Sequence, residues 1–129
     1  MLTLDPIGIK LIDRLAADYN AEIVISSTWR NHERTSQVQT ILRTHGFRAP
    51  FHIEWKTPNS WKRPRGHEIQ QWIDEHGKDY QAFLILDDNS DMTEYQKDHY
   101  FVQTDTYDGF LFSHYLEAKK KLEKQLNIP

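Results

Sequence analysis

Two short apolar runs decide what this chain can fold into. Ala21-Glu22-Ile23-Val24-Ile25 runs into Ser26-Ser27-Thr28-Trp29-Arg30, and Phe83-Leu84-Ile85-Leu86 runs into Asp87-Asp88-Asn89-Ser90-Asp91. Both runs are largely aliphatic on their two faces, as strands covered by helices on each side must be. Segments of helical period lie before, between and after them. Strands that alternate with helices imply βαβ units and one mostly parallel sheet, so the fold class is α/β. In such a sheet the ligand binds outside the carboxyl ends of the strands. Here those ends carry hydroxyls on one run and clustered carboxylates on the other.

The helical segments are bounded by local signals. Asp5-Pro6 ahead of Ile7, Leu11, Ile12 and Leu15 reads as an N-cap and a proline at the first helical position, followed by one apolar stripe. That helix ends near Asn20, a residue that tolerates the left-handed conformation. Residues 35–45 place Val38, Ile41 and Leu42 at helical spacing and stop at Gly46. Residues 67–76 turn Ile69, Trp72 and Ile73 inward and stop at Gly77. Residues 111–126 form a terminal helix with a lysine-rich outer face. The strands are expected at 21–27, 51–55, 82–87 and 100–103, with a polar, proline-bearing loop over 56–66.

Composition narrows the class. With 129 residues the chain is expected to form one domain, 1–129, with a single core. A formal charge of −3 argues against a surface that grips nucleic acid or anionic lipid everywhere, although local basic patches remain open. There is no cysteine, which removes disulfides and thiolate metal sites. No apolar run approaches the roughly 20 residues of a membrane span, and no signal-peptide pattern opens the chain, so a cytoplasmic location is expected.

The pair SSTWR and ILDDNSDM, in that order and with an RG-initiated helix between them, resembles the haloacid dehalogenase-like (HAD) hydrolases. The likeness is to the small HAD domains of phage and bacterial proteins grouped with nucleic-acid repair phosphatases. It extends from LDPIGIKLIDRL through EIVISSTWR, RGHEIQQWIDEHG and FLILDDNSDM to TDTYDGF. The resemblance implies a three-layer Rossmannoid domain with about four mostly parallel strands. It also implies a Mg²⁺-dependent phosphatase acting on a phosphomonoester, such as a nucleotide or a nucleic-acid end.

Site residues carry over position by position. Ser26 resembles the strand-end hydroxyl that binds the phosphoryl group, with Ser27, Arg30 and Lys62 joining the phosphate-binding set. Arg65 resembles the cation that stabilises the transferring oxygens, with Lys62 and Arg63 as alternatives. Asp87 and Asp88 resemble the acidic pair that holds Mg²⁺, supported by Asp91. The family's Asp-x-Asp strand, whose first aspartate attacks phosphorus, is not evident. Either Asp5 only caps a helix, or it is the nucleophile of a degraded Asp-x-Asp-Gly in which Ile7 stands where the acid/base should be. Ile7 cannot move a proton.

Other readings stay open beside this one. The serines can cap a helix, the Asp87–Ser90 stretch can be a turn, and Arg30 can form an ion pair with Asp87 or Asp88 that fills the metal position. Lys56, Lys62, Arg63 and Arg65 with Trp55 and Trp61 can be a nucleic-acid surface or a solvated loop. The seven histidines show no ligand spacing. A catalytically inactive HAD-like module is the alternative function, binding a phosphorylated ligand, a protein partner or a second copy of itself, as a phage-encoded factor directed at a host protein would.

Overall fold

In the computed structural model, residues 5–26, 37–58 and 64–129 are described. The order is α1 (Pro6–Tyr19), β1 (Ile23–Ile25), α2 (Val38–Thr44), β2 (Phe51–Lys56), α3 (Arg65–His76), β3 (Ile85–Asp87), α4 (Glu94–His99), β4 (Phe101–Gln103) and α5 (Phe112–Gln125). Strands and helices alternate as the sequence implies, and both strand pairings among the described residues are parallel.

The four strands expected in one sheet are described as two pairs. Among the described residues there are two separate two-stranded sheets, β1 with β2 and β3 with β4. Ile23 lies opposite Phe51 and Ile25 opposite Lys56, with an irregularity between, whereas Ile85, Leu86 and Asp87 pair in even register with Phe101, Val102 and Gln103. No described hydrogen bond joins β1 to β3. Between them lies a cavity of about 810 Å³ instead. A pattern of apolar runs specifies that strands form, but not which edges meet.

Local signals explain the helix ends. Asp5 caps α1, its carboxylate accepting the Gly8 N–H at 2.9 Å, and Pro6 occupies the first turn. Asn20 closes α1 in the left-handed conformation at φ 52°. The six-residue α4 was not anticipated. Thr93 and Gln96 nevertheless form a reciprocal capping box there, a Thr-x-x-Gln pattern that the sequence displays.

The buried apolar residues sort into two clusters. Ile9, Ile12 and Leu15 of α1 join Ala118 and Leu122 of α5, together with Val102, Phe47 and Phe110, in the main core. Ile69 of α3 packs instead with Ile85, Met92 and Phe101. Ile85 and Leu86 therefore point to opposite sides, the alternation a strand requires. Burial on this scale is worth about 1.5–3 kcal/mol per large apolar side chain, so these contacts, more than helix propensity, hold the elements in place. Gly109, at φ 72°, turns the chain back through a bridge between Asp105 and Gly109 and drives Phe110 into the core.

Candidate functional site

The strands direct their carboxyl ends to one rim. Tyr80, ahead of β3, donates its hydroxyl to Glu22, ahead of β1, which fastens the amino ends of the two strands together. That bond pushes the Tyr80 hydroxyl up to about 12, because the neutral donor is favoured beside a carboxylate. At the other end Ser26 and Asp87 line the same cavity, with Thr57 beside them at the end of β2. The Thr57 N–H donates to the Ile25 carbonyl, which holds that loop against Ser26.

Asp87 is the most constrained carboxylate of the rim. It is 2% exposed, and one of its oxygens accepts the Arg65 guanidinium at 2.7 Å. The other accepts the Asn89 N–H at 2.9 Å. Such a buried ion pair is held by geometry and hydrogen bonds, since desolvation offsets most of its Coulomb gain. Asp88 follows immediately. Burial raises its pKa, but hydrogen bonds to the charged form, one from its own backbone N–H, outweigh burial and hold it below the usual carboxylate value.

Arg65 reaches Asp87 because the start of α3 is clamped from three sides. The Asp91 carboxylate accepts the Arg65 N–H at 3.0 Å, and the Asp91 carbonyl accepts the Gly66 N–H at 2.9 Å. Gln96, completely buried, donates to the Gly66 carbonyl at 2.8 Å. A Cβ at Gly66 would sit 2.5 Å from the Gln96 Oε1 and 2.8 Å from the Met92 Cα, so only glycine allows this approach. The RG pair thus splits its work: glycine brings the helix in, and arginine reaches the carboxylate.

The expected site residues distribute as follows. Ser26, Arg65, Asp87 and Asp88 gather at one rim. Asp91 serves the start of α3. Asp5 caps α1, and Ser27, Arg30 and Lys62 lie outside the described residues, as do Trp61 and Arg63 of the basic loop. Lys56 stands over the Trp55 ring at 5.2 Å. Thr57 and Gln96 are additions. Thr57 had no signal beyond its place at a strand end, whereas Gln96 was readable through its capping box.

Magnesium can be tested against these residues. Mg²⁺ favours one or two carboxylates with phosphate oxygens and water. Among the described residues no group of three His, Asp or Glu side chains could hold a metal. Both Asp87 oxygens already carry donors. Asp87 and the adjacent Asp88 are the described carboxylates that would hold such an ion at this rim, with Arg65 on Asp87 as its competitor.

The described residues thus form parallel strand pairs between helices, with a hydroxyl and an arginine-paired aspartate at the carboxyl rim. A family model described as the HAD domain in Swiss Army Knife RNA repair proteins matches residues 1–114, and this chain belongs to that family. No curated protein matches the chain, and no solved structure does. Among the described residues no helix is long and apolar enough to cross a membrane.

Proposed function

We propose that this HAD domain binds the phosphate of a phosphomonoester, a nucleotide or a nucleic-acid end, at the rim between Ser26 and Asp87, and belongs to the phosphohydrolase type. The observation that supports this reading is the shared lining by Ser26 and Asp87, with Arg65 held on Asp87 at 2.7 Å. Phosphoryl transfer is mostly positioning and charge neutralisation, and this rim offers a hydroxyl, a fixed guanidinium and a carboxylate in one place. The RNA repair proteins for which the family is described make a nucleic-acid end the natural phosphomonoester to try first.

A second reading has its own support. Asp5 spends its carboxylate on the Gly8 N–H, and Asp87 spends both oxygens on Arg65 and Asn89. Those commitments favour phosphate binding without turnover, by the domain alone or with a protein partner or second copy. Magnesium binding through Asp87 would require Arg65 to release it.

One assay separates the readings. An aryl phosphate supplied with Mg²⁺ is hydrolysed under the first, and Ser26→Ala slows it at least tenfold. Asp5→Asn preserves the cap, since asparagine caps as well as aspartate, and abolishes turnover only if Asp5 attacks phosphorus. Inorganic phosphate binding without turnover, weakened by Ser26→Ala, supports the second. Absence of both turnover and phosphate binding rejects the site.

A further inference from the structure

We infer that Tyr107 is the platform on which the base of a nucleoside phosphate stacks while its phosphate sits at the rim. This role rests on the phosphate reading above and names what the ligand carries beyond its phosphate.

The turn that bears Tyr107 opens at the same edge as the rim. β3 and β4 run parallel in even register, with Asp87 opposite Gln103, so the chain leaves both strands side by side. The Gln103 amide donates to the Asp88 carbonyl at 3.1 Å and ties the two exits together. Thr106 then lines, with Asp88, Asn89, Ser90 and Gln103, a polar recess of about 360 Å³. Its hydroxyls and amides can both donate and accept, which suits the hydroxyls of a sugar. Tyr107 is the next residue along.

The Tyr107 ring is presented rather than packed. It is 89% exposed, and among the described residues it meets no other ring. The exposed rings of Tyr95 and Phe112, by contrast, lie on His99 and Tyr115 at 4.0 and 5.7 Å. The backbone beneath Tyr107 is nonetheless fixed. The Asp105 carboxylate accepts the N–H groups of Tyr107 and Asp108, both at 2.8 Å. Asp105 and Gly109 also exchange two backbone hydrogen bonds, at 3.0 and 2.9 Å. A bare ring on a fixed turn offers apolar area to a ligand at little cost in ordering.

The flanking charges select the group that lies there. Hydrogen bonds from the Asp108 and Tyr107 N–H groups hold the Asp105 carboxyl below its usual range, so it stays ionised at neutral pH. With Asp108 it repels a phosphate from the ring and leaves the place to an uncharged planar group. Stacking on an aromatic face accepts every base, because each has a π-face. The platform therefore separates phosphates that carry a base from phosphates that do not.

The test compares binding of inorganic phosphate, ribose 5-phosphate, adenosine 5′-monophosphate and a short 3′-phosphorylated oligoribonucleotide by calorimetry. A base-bearing ligand is expected to bind about tenfold tighter than ribose 5-phosphate. Tyr107→Ala removes that margin, whereas Tyr107→Phe keeps it, because the ring and not the hydroxyl makes the stack. Nucleotide binding also moves the Tyr107 ring protons upfield. A margin confined to the oligoribonucleotide assigns a nucleic-acid end, and one shared with the mononucleotide assigns a nucleotide; both sustain the inference. Equal affinity for ribose 5-phosphate and the base-bearing ligands overturns it and leaves phosphate binding at the rim standing. A margin that survives Tyr107→Ala overturns it too. If none of the four binds, the phosphate reading falls with it.

Discussion

The two halves of the molecule are built to different standards of closure. Around β3 and β4 the register is even, and Asp87, Arg65, Asp91, Gly66 and Gln96 form one connected set of hydrogen bonds. Around β1 and β2 the pairing is irregular, and the rim residues Ser26 and Thr57 lean on a backbone bond to Ile25. The difference teaches that the carboxylate side of the rim is preorganised by its own packing, whereas the described hydroxyl side is tied down by that one backbone bond. A ligand bound at the rim would be expected to reshape the β1 half more than the β3 half.

The largest effect expected is at the ion pair. Arg65→Met removes the guanidinium from the buried Asp87 carboxylate and should cost about 3 kcal/mol, at the lower end for buried pairs because the Arg65 side chain keeps 18% exposure and Asp87 keeps the Asn89 N–H. The double variant Arg65→Met with Asp87→Asn should recover a large part of that loss in urea unfolding. If the single variant unfolds at the wild-type midpoint, the β3 half is not held as described.

Gly66→Ala comes next. The added methyl meets Gln96, Met92 and the Thr93 N–H inside 3 Å, and such overpacking costs about 1–3 kcal/mol. Gly66→Ala should also shift Arg65, so inorganic phosphate affinity should fall along with Tm. A stable variant with unchanged affinity would separate the helix start from the site.

The smallest effect sharpens the comparison at the opposite end of the strands. The Tyr80 pKa is raised in the folded state, so its bond to Glu22 contributes below the ordinary tyrosine pKa of 10.0 and is lost as pH rises through about 12. Tyr80→Phe should therefore lower stability slightly at neutral pH and flatten the decline seen between those two values. Equal slopes for both proteins in alkaline unfolding would show that this tie between the halves carries no stability.

Much of the fold was legible because its signals are local. Asp5-Pro6, Asn20 and the apolar stripes fix α1 within one or two turns, and the ends of α3 and α5 fall within a residue or two of their expected places. The strands were legible as runs, but β1, β3 and β4 proved shorter, at three residues each, and β2 one residue longer, because strand length depends on the partner available. Of the site, the strand-end positions of Ser26 and Asp87 could be read directly. The Arg65–Asp87 pair could not, since it follows from Gly66 fitting against Met92 and Gln96.

By itself the sequence determined an alternating α/β chain with hydroxyls and carboxylates at strand ends, since period, capping and turn chemistry act over a few neighbours. The tertiary structure alone decided that Asp91 serves the start of α3 across 26 positions, that Arg65 closes on Asp87, and that the described strands pair as β1 with β2 and β3 with β4. Those outcomes depend on which surfaces meet, and ion pairing and strand pairing are settled only when distant segments compete for the same space.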